Sequence, residues 1–341
     1  MGGNLFKLGR LPRAEYMALE AELRAWLDPT FGDLYRIPRA YGDKPDFGDV
    51  DIVLSEAAIE TDWPDLRARI CESLGVERFK VDGELLSTAY KGFQVDFFLR
   101  PEDAFLSTAN FLCFNDLGNL IGKIARRRGL KYGERGLEYV FRRQDGHYRS
   151  DLPMCQDIGR ILTFFDLDPA DWHAGFPSLD AMFEWVVRSR WFSVEPYRSQ
   201  SAATRKRHNE RSTIQRFIAY LDAHHIEKTC DYGDDSAAHL QAALDAFPEA
   251  MLAEAIARER ALEARDAIVR EKFSGKLVMR LAPELEGQAL GAFIRRFKAS
   301  FEDFEAALVE MEAEEVERAI LALAQSPWDE GDEELARRAR P

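Results

Sequence analysis

The stretch GDVDIVL, residues 48–54, constrains this chain more than any other, because it sets two acids into what otherwise reads as a buried strand. In extended backbone, successive side chains point to opposite faces of the sheet. Asp49 and Asp51 therefore project one way while Val50 and Ile52 project the other. Like charges a few ångströms apart repel and raise one another's pKa, so the pair calls for a counter-charge. A divalent cation on hard oxygen ligands supplies one. FQVDFFLR, residues 93–100, adds a third acid, Asp96, between Val95 and Phe97 in another strand-like run. Asp49, Asp51 and Asp96 are the candidate metal ligands, with Mg²⁺ as the expected ion and Mn²⁺ as its substitute.

Around these strands the first hundred residues mix element types. Residues 13–28 have the apolar spacing of an amphipathic helix, the prolines and glycines of residues 33–48 forbid a long regular element, and DWPDLRARICESLG predicts a helix ended by Gly75. ERFKVDG and STAYKGFQVDFFLR predict two strands joined by a turn. From Asn115 onward almost everything has a helical pattern. The expected architecture is α+β: a mixed sheet with helices over residues 1–150, a helical domain with a basic patch over 151–230, and a helical bundle over 231–341.

Charge is unevenly spread. The 341 residues carry a net charge of −14, yet residues 121–220 hold 18 basic against 12 acidic side chains. Clustered positive charge is what polyphosphate or a nucleic-acid backbone needs, whatever the total. No run approaches the ~20 apolar residues of a membrane helix, and MGGNLFKLGR lacks a signal-peptide core, so the expected address is the cytoplasm. Cys71, Cys113, Cys155 and Cys230 are widely spaced and suggest reduced thiols rather than a zinc or disulfide framework. HExxH, G-x-S-x-G and P-loop patterns are absent, which argues against a metalloprotease, a serine hydrolase and a P-loop ATPase.

KPDFGDVDIVL resembles the catalytic stretch of the nucleotidyltransferases of the DNA polymerase beta superfamily, especially the family X polymerases. There a Gly-Asp-x-Asp-hydrophobic element is followed some tens of residues later by a third strand aspartate. NDLGNLIGKIARRRGLKYGERGLEYVF is similar to the basic helix that follows that aspartate, with a Glu-x-Gly-Leu-like element at Glu134-Arg135-Gly136-Leu137. The likeness covers roughly residues 36–141. It implies that Asp49 and Asp51 bind two catalytic metals and that Asp96 completes one site and helps to deprotonate the attacking hydroxyl. It implies further that the basic helix lines the nucleotide pocket.

The sequence departs from that pattern where the family carries a Gly-Ser pair to hold the triphosphate; here the stretch is RIPRAYGD. Arg39, Gly42, Lys44 and Gly48, with Asn115, Asn119, Lys123 and Arg126, are the expected nucleotide-binding residues. Asn115 and Asn119, one helical turn apart, could read a base or ribose, or cap the helix. Arg127, Arg128, Lys131, Arg205, Lys206, Arg207 and Arg211 are the expected contacts to nucleic acid. The resemblance therefore implies transfer of a nucleoside monophosphate from a nucleoside triphosphate to a hydroxyl, with a nucleic-acid 3′ end as the first candidate acceptor. A small-molecule or protein acceptor, and a non-catalytic nucleotide- or RNA-binding member of the fold, stay open.

Overall fold

The computed structural model describes residues 5–198, 206, 209, 211–230 and 236–326, so Arg205 and Arg207 lie outside the described residues. The chain forms two compact units, residues 1–142 with 148–252, and residues 143–147 with 253–341. The strands are β1 (Leu11–Pro12), β2 (Tyr35–Arg36), β3 (Asp46–Phe47), β4 (Asp49–Ser55), β5 (Phe79–Asp82), β6 (Leu85–Tyr90), β7 (Phe93–Arg100), β8 (Leu130–Gly133), β9 (Gly136–Arg142) and β10 (Tyr148–Cys155). Five of them form a mixed sheet in the order β2-β4-β7-β6-β5. β4 and β7 run parallel, and the other neighbours are antiparallel.

The two faces of this sheet follow the alternation in the sequence. Val50, Ile52 and Leu54 of β4 and Val95, Phe97 and Leu99 of β7 are buried in one cluster with helix α1 (Arg13–Phe31) and helix α2 (Trp63–Leu74). α1 meets it through Tyr16, Leu19, Leu23, Leu27 and Phe31, spaced three or four residues apart as a helical stripe requires. The opposite face packs Val53 against Phe105 and Ala109 of α3 (Glu102–Leu112). By the same alternation Asp49, Asp51 and Asp96 belong to the α3 side, at the end of the sheet where β4 begins.

Turn chemistry sets the boundaries. Asp62 caps α2 by accepting from the Asp65 N–H at 2.7 Å, and Gly75 ends the helix with φ +62°. Where two strands were expected over residues 77–100 there are three. Lys91 and Gly92 both take positive φ, 48° and 77°, which folds YKGF into the tight turn between β6 and β7.

The larger correction concerns residues 130–155, expected to be helical. α4 (Leu117–Arg127) ends before Gly129, at φ +72°, and the chain then makes the antiparallel sheet β10-β9-β8. The period of two was masked because charged residues stand within the strands and pair across them: Lys131 faces Glu138 in the ladder and bridges both it, at 2.9 Å, and Asp151, at 2.7 Å. With Gly136 opening β9, the Glu134-Arg135 segment is the turn joining β8 to β9. Its Glu134 carbonyl accepts from Ser107 and Thr108 of α3, and its carboxylate accepts from Arg100 of β7 at 2.9 Å.

Beyond β10, the regular elements among the described residues are helices. The first unit continues with α5 (Ile158–Phe164), α6 (Pro169–Ala174), α7 (Leu179–Arg188) and α8 (Glu195–Arg198), then helices at Ser212–Ala223 and Ser236–Ala246. The second unit buries Phe273, Val278, Phe293, Phe297, Leu308, Val316 and Ile320 among its helices. The architecture is thus a mixed α/β sheet domain followed by a helical C-terminal region. Cys71, Cys113 and Cys155 are not in disulfides. No helix among the described residues is long and apolar enough to cross a membrane.

Candidate metal and nucleotide site

The parallel pairing of β4 with β7 places Asp51 directly opposite Asp96, and Asp49 opposite Gln94. One oxygen from each of Asp49, Asp51 and Asp96 lies within 4.8 Å of the other two. Opposite ligands of a Mg²⁺ ion stand about 4.2 Å apart. Small side-chain rotations would therefore bring these oxygens onto one cation. Val50 and Ile52, fully buried on the other face, anchor the strand that carries the pair.

The three carboxylates lie close enough to perturb one another, with Lys44 as a partial counter-charge to Asp51. Burial pushes the Asp51 carboxyl well above the usual carboxylate range, and the neighbouring Asp49 and Asp96 charges push it further. Asp96 is raised mainly by burial, with the Gln94 amide first and then the Ser87 hydroxyl, opposite it on β6, pulling it back. Its Oδ2 accepts from Gln94 Nε2 at 2.8 Å, whereas its Oδ1 is buried and has no hydrogen-bond partner. A buried carboxylate oxygen without a partner costs free energy. A cation bound by the three acids would satisfy it, so these residues fit Mg²⁺ or Mn²⁺.

Lys44 stands beside the acids. Its Nζ donates to Asn115 Oδ1 at 3.1 Å and sits 4.2 Å from the Phe47 ring centroid. Burial lowers its pKa, and Asp49 and Asp51 oppose that shift. Asn115 precedes α4 rather than lying on it; its left-handed backbone, φ +61°, holds its amide toward Lys44. Asn119 is inside the helix and donates to Asp116 Oδ1 at 3.1 Å. The two asparagines therefore do not share a helical face, as their spacing had suggested.

The loop over residues 38–43 is tied to the α6–α7 connection. The Arg39 guanidinium donates to the Trp172 and His173 carbonyls, both at 2.8 Å, and lies over the Trp172 and Phe114 rings. Gly42 N–H donates to the Phe176 carbonyl at 2.7 Å, and Asp43 accepts from Leu179 N–H at 3.2 Å. A Cβ on Gly42 would come within 2.6 Å of the Pro177 carbonyl oxygen. Gly42→Ala is accordingly expected to cost about 1–3 kcal/mol, read as a lowered denaturation midpoint; an unchanged midpoint would show that the loop shifts freely. Beside this loop, Arg13, Tyr16, Glu20, Arg39, Phe47 and Phe114 contribute to the wall of a cleft of about 450 Å³.

The basic candidates are dispersed and mostly engaged. Lys123 lies over the Tyr197 ring, 4.9 Å from its centroid, while Arg126 and Arg127 are exposed at the end of α4. Arg127 pairs with Glu195 and Arg211 pairs with Asp116. Arg128 is buried between the Phe164 and Trp191 rings, at 4.4 and 4.0 Å, so it presents no surface to a phosphate backbone. Lys131 is held by its two acids, and Lys206 is exposed. Gly48 is buried immediately before β4.

No family model matches this chain, and no curated protein matches it. Among the solved structures that align with part of this chain are two complexes of one polymerase. The ternary P/T complex of Leishmania infantum polymerase beta aligns with TM-score 0.30 and 21% identity over 39% of this chain and 59% of that one. The ternary gap complex of the same polymerase aligns with TM-score 0.31 and 18% identity over 39% of this chain and 52% of that one. The alignment thus spans little more than half of either polymerase chain, and at these scores it assigns no residue a role.

Two residues at this site had no signal in the motif. Gln94 is named by the alternation of β7, two positions before Asp96 and on its face, once the strand is known. Tyr16 stacks on Phe47, with centroids 3.6 Å apart and planes 9° apart. Burial pushes its phenol pKa up; Glu20, Asp51 and Asp49 add to the shift. Only the packing of α1 brings it there.

Proposed function

We propose that this protein is a metal-dependent nucleotidyltransferase that moves a nucleoside monophosphate from a nucleoside triphosphate to an acceptor hydroxyl. The observation that carries this reading is the convergence of Asp49, Asp51 and Asp96, with the Asp96 Oδ1 buried and unpartnered. In this reading Asp49 and Asp51 hold Mg²⁺, and Asp96 completes one metal position and takes up the acceptor's proton. The bound metal would supply Lewis-acid activation and neutralise phosphate charge. The acceptor oxygen forms a bond to the α-phosphorus as the bond to the β-phosphate oxygen breaks, and pyrophosphate leaves. Lys44 would sit against the phosphates as a positive charge, in the place where the sequence lacks Gly-Ser. Arg39, Gly42, Gly48, Asn115, Asn119, Lys123 and Arg126 remain candidates for shaping the nucleotide pocket.

Lys44→Met is expected to lower kcat/KM for the triphosphate about 10- to 100-fold, the worth of one charge-assisted hydrogen bond. Equal kcat/KM in steady-state kinetics would remove Lys44 from the pocket.

A nucleic-acid 3′ end is the first acceptor class, on the basic character of residues 121–220. A small-molecule or protein acceptor is the second, favoured by the pairing of Arg127, Lys131 and Arg211 with acids. A transfer assay separates them. Labelled ribo- and deoxyribonucleoside triphosphates are offered with Mg²⁺ or Mn²⁺ to single-stranded, duplex and tRNA acceptors, with Asp49→Asn/Asp51→Asn as control. Label on a nucleic acid with the wild type alone supports the first. Triphosphate binding without labelled nucleic acid supports the second, and no binding at all sinks the enzymatic reading.

A further inference from the structure

Asp96 is held by a chain of contacts that reaches away from the carboxylates. Gln94 is buried beside it on the same face of β7. A side-chain amide can turn over and exchange its oxygen for its nitrogen, so what fixes it decides what it offers. The Leu5 backbone N–H donates to Gln94 Oε1 at 3.2 Å. That bond commits Oε1 to Leu5 and leaves Nε2 facing Asp96 Oδ2, to which it donates at 2.8 Å. The Leu5–Phe6 segment is itself anchored. Phe6 is buried, Arg78 lies over its ring at 5.1 Å from the centroid, and an Arg78 N–H donates to the Phe6 carbonyl at 3.2 Å.

Resting on the metal reading above, we infer that Gln94 is a positioning residue, locked by the Leu5 N–H, which occupies one oxygen of Asp96 so that the other is presented to the metal. A ligating carboxylate with both oxygens unheld samples orientations that close no site; one oxygen pinned by a donor leaves a single lone-pair direction for the ion. The pinned oxygen is Oδ2 and the presented one is Oδ1, the buried atom without a hydrogen-bond partner. The N-terminal segment is thereby wired to the metal site through one amide.

The test is Mn²⁺ binding, followed by the electron paramagnetic resonance signal of the unbound ion, on the full chain without nucleotide. Gln94→Leu keeps the volume and removes the clamp, and is expected to weaken Mn²⁺ binding by about 10-fold or more, as loss of a partner to a metal ligand does. Far-UV circular dichroism and the metal-free melting temperature check that it folds. Leu5→Pro removes the donating N–H, leaves the Gln94 amide able to rotate, and should shift affinity in the same direction by less. With either variant, transfer activity should recover at high Mn²⁺, which a general loss of structure would not allow. If Gln94→Leu fails to fold, Leu5→Pro decides. Wild-type affinity in both variants overturns the clamp alone; a wild type that binds no Mn²⁺ overturns the metal reading and the clamp with it.

Discussion

Asp51→Asn is expected to cut nucleotidyl transfer by on the order of 1,000-fold or more, because a bound metal contributes several kcal/mol of charge stabilisation in the transition state. The same substitution is expected to raise the melting temperature of the metal-free protein. Asp51 stands opposite Asp96 in the parallel ladder and within reach of Asp49, and burial together with those two charges disfavours its ionised form. An amide of nearly equal shape removes that repulsion without leaving a cavity. Activity down and stability up is the combination that a binding site shows and a structural acid does not. Steady-state transfer rates and thermal melts in a chelator measure both. Unimpaired transfer by Asp51→Asn would end the case for the carboxylate triad as the reacting centre.

Metal binding is expected to stabilise the fold, and to do so more strongly as pH rises. At a free Mg²⁺ or Mn²⁺ concentration 100 times its dissociation constant the gain is about 2.7 kcal/mol. Asp51 and Asp96 both have folded-state pKa values raised above the ordinary carboxylate range. The folded chain therefore holds their protons more tightly than the unfolded chain. That contribution to stability is fully present below the ordinary carboxylate pKa of about 4 and is lost as pH climbs through the raised folded-state values. Metal competes with those protons and replaces them. At a fixed metal concentration, the metal-induced rise in melting temperature should accordingly be larger at pH 8 than at pH 5, and proton release should accompany binding at the lower pH. A shift of equal size at both values would show that the ion binds elsewhere or that these acids are already ionised.

The parts of the site legible in the sequence were those written in local periodicity. GDVDIVL puts two acids on one face and Val50 and Ile52 on the other, and FQVDFFLR repeats the pattern around Asp96; both strands form as the alternation requires. Residues 130–155 hide their strand pattern because Lys131, Glu138 and Asp151 interrupt the apolar alternation. Their charges balance only across neighbouring strands, which a linear pattern does not display. Asn115 was placed on a helix by its spacing from Asn119, whereas a positive φ takes it out of that helix and toward Lys44.

The basic run shows the same division. Composition determined that residues 121–220 are positively charged, but not whether those charges face a ligand. Glu195, Asp116 and Asp151 neutralise Arg127, Arg211 and Lys131 from other elements, and aromatic rings enclose Arg128.

By itself, then, the sequence determined β4 and β7, their buried faces and the shared face of Asp49 and Asp51, because side-chain alternation and apolar spacing act over a few residues. Only the tertiary structure decided that Asp51 lies against Asp96, that Gln94 is clamped by Leu5, and that Lys44 is the cation beside them. Strand register and the meeting of distant side chains are set by packing across the whole domain, and no local stretch of chain carries that information.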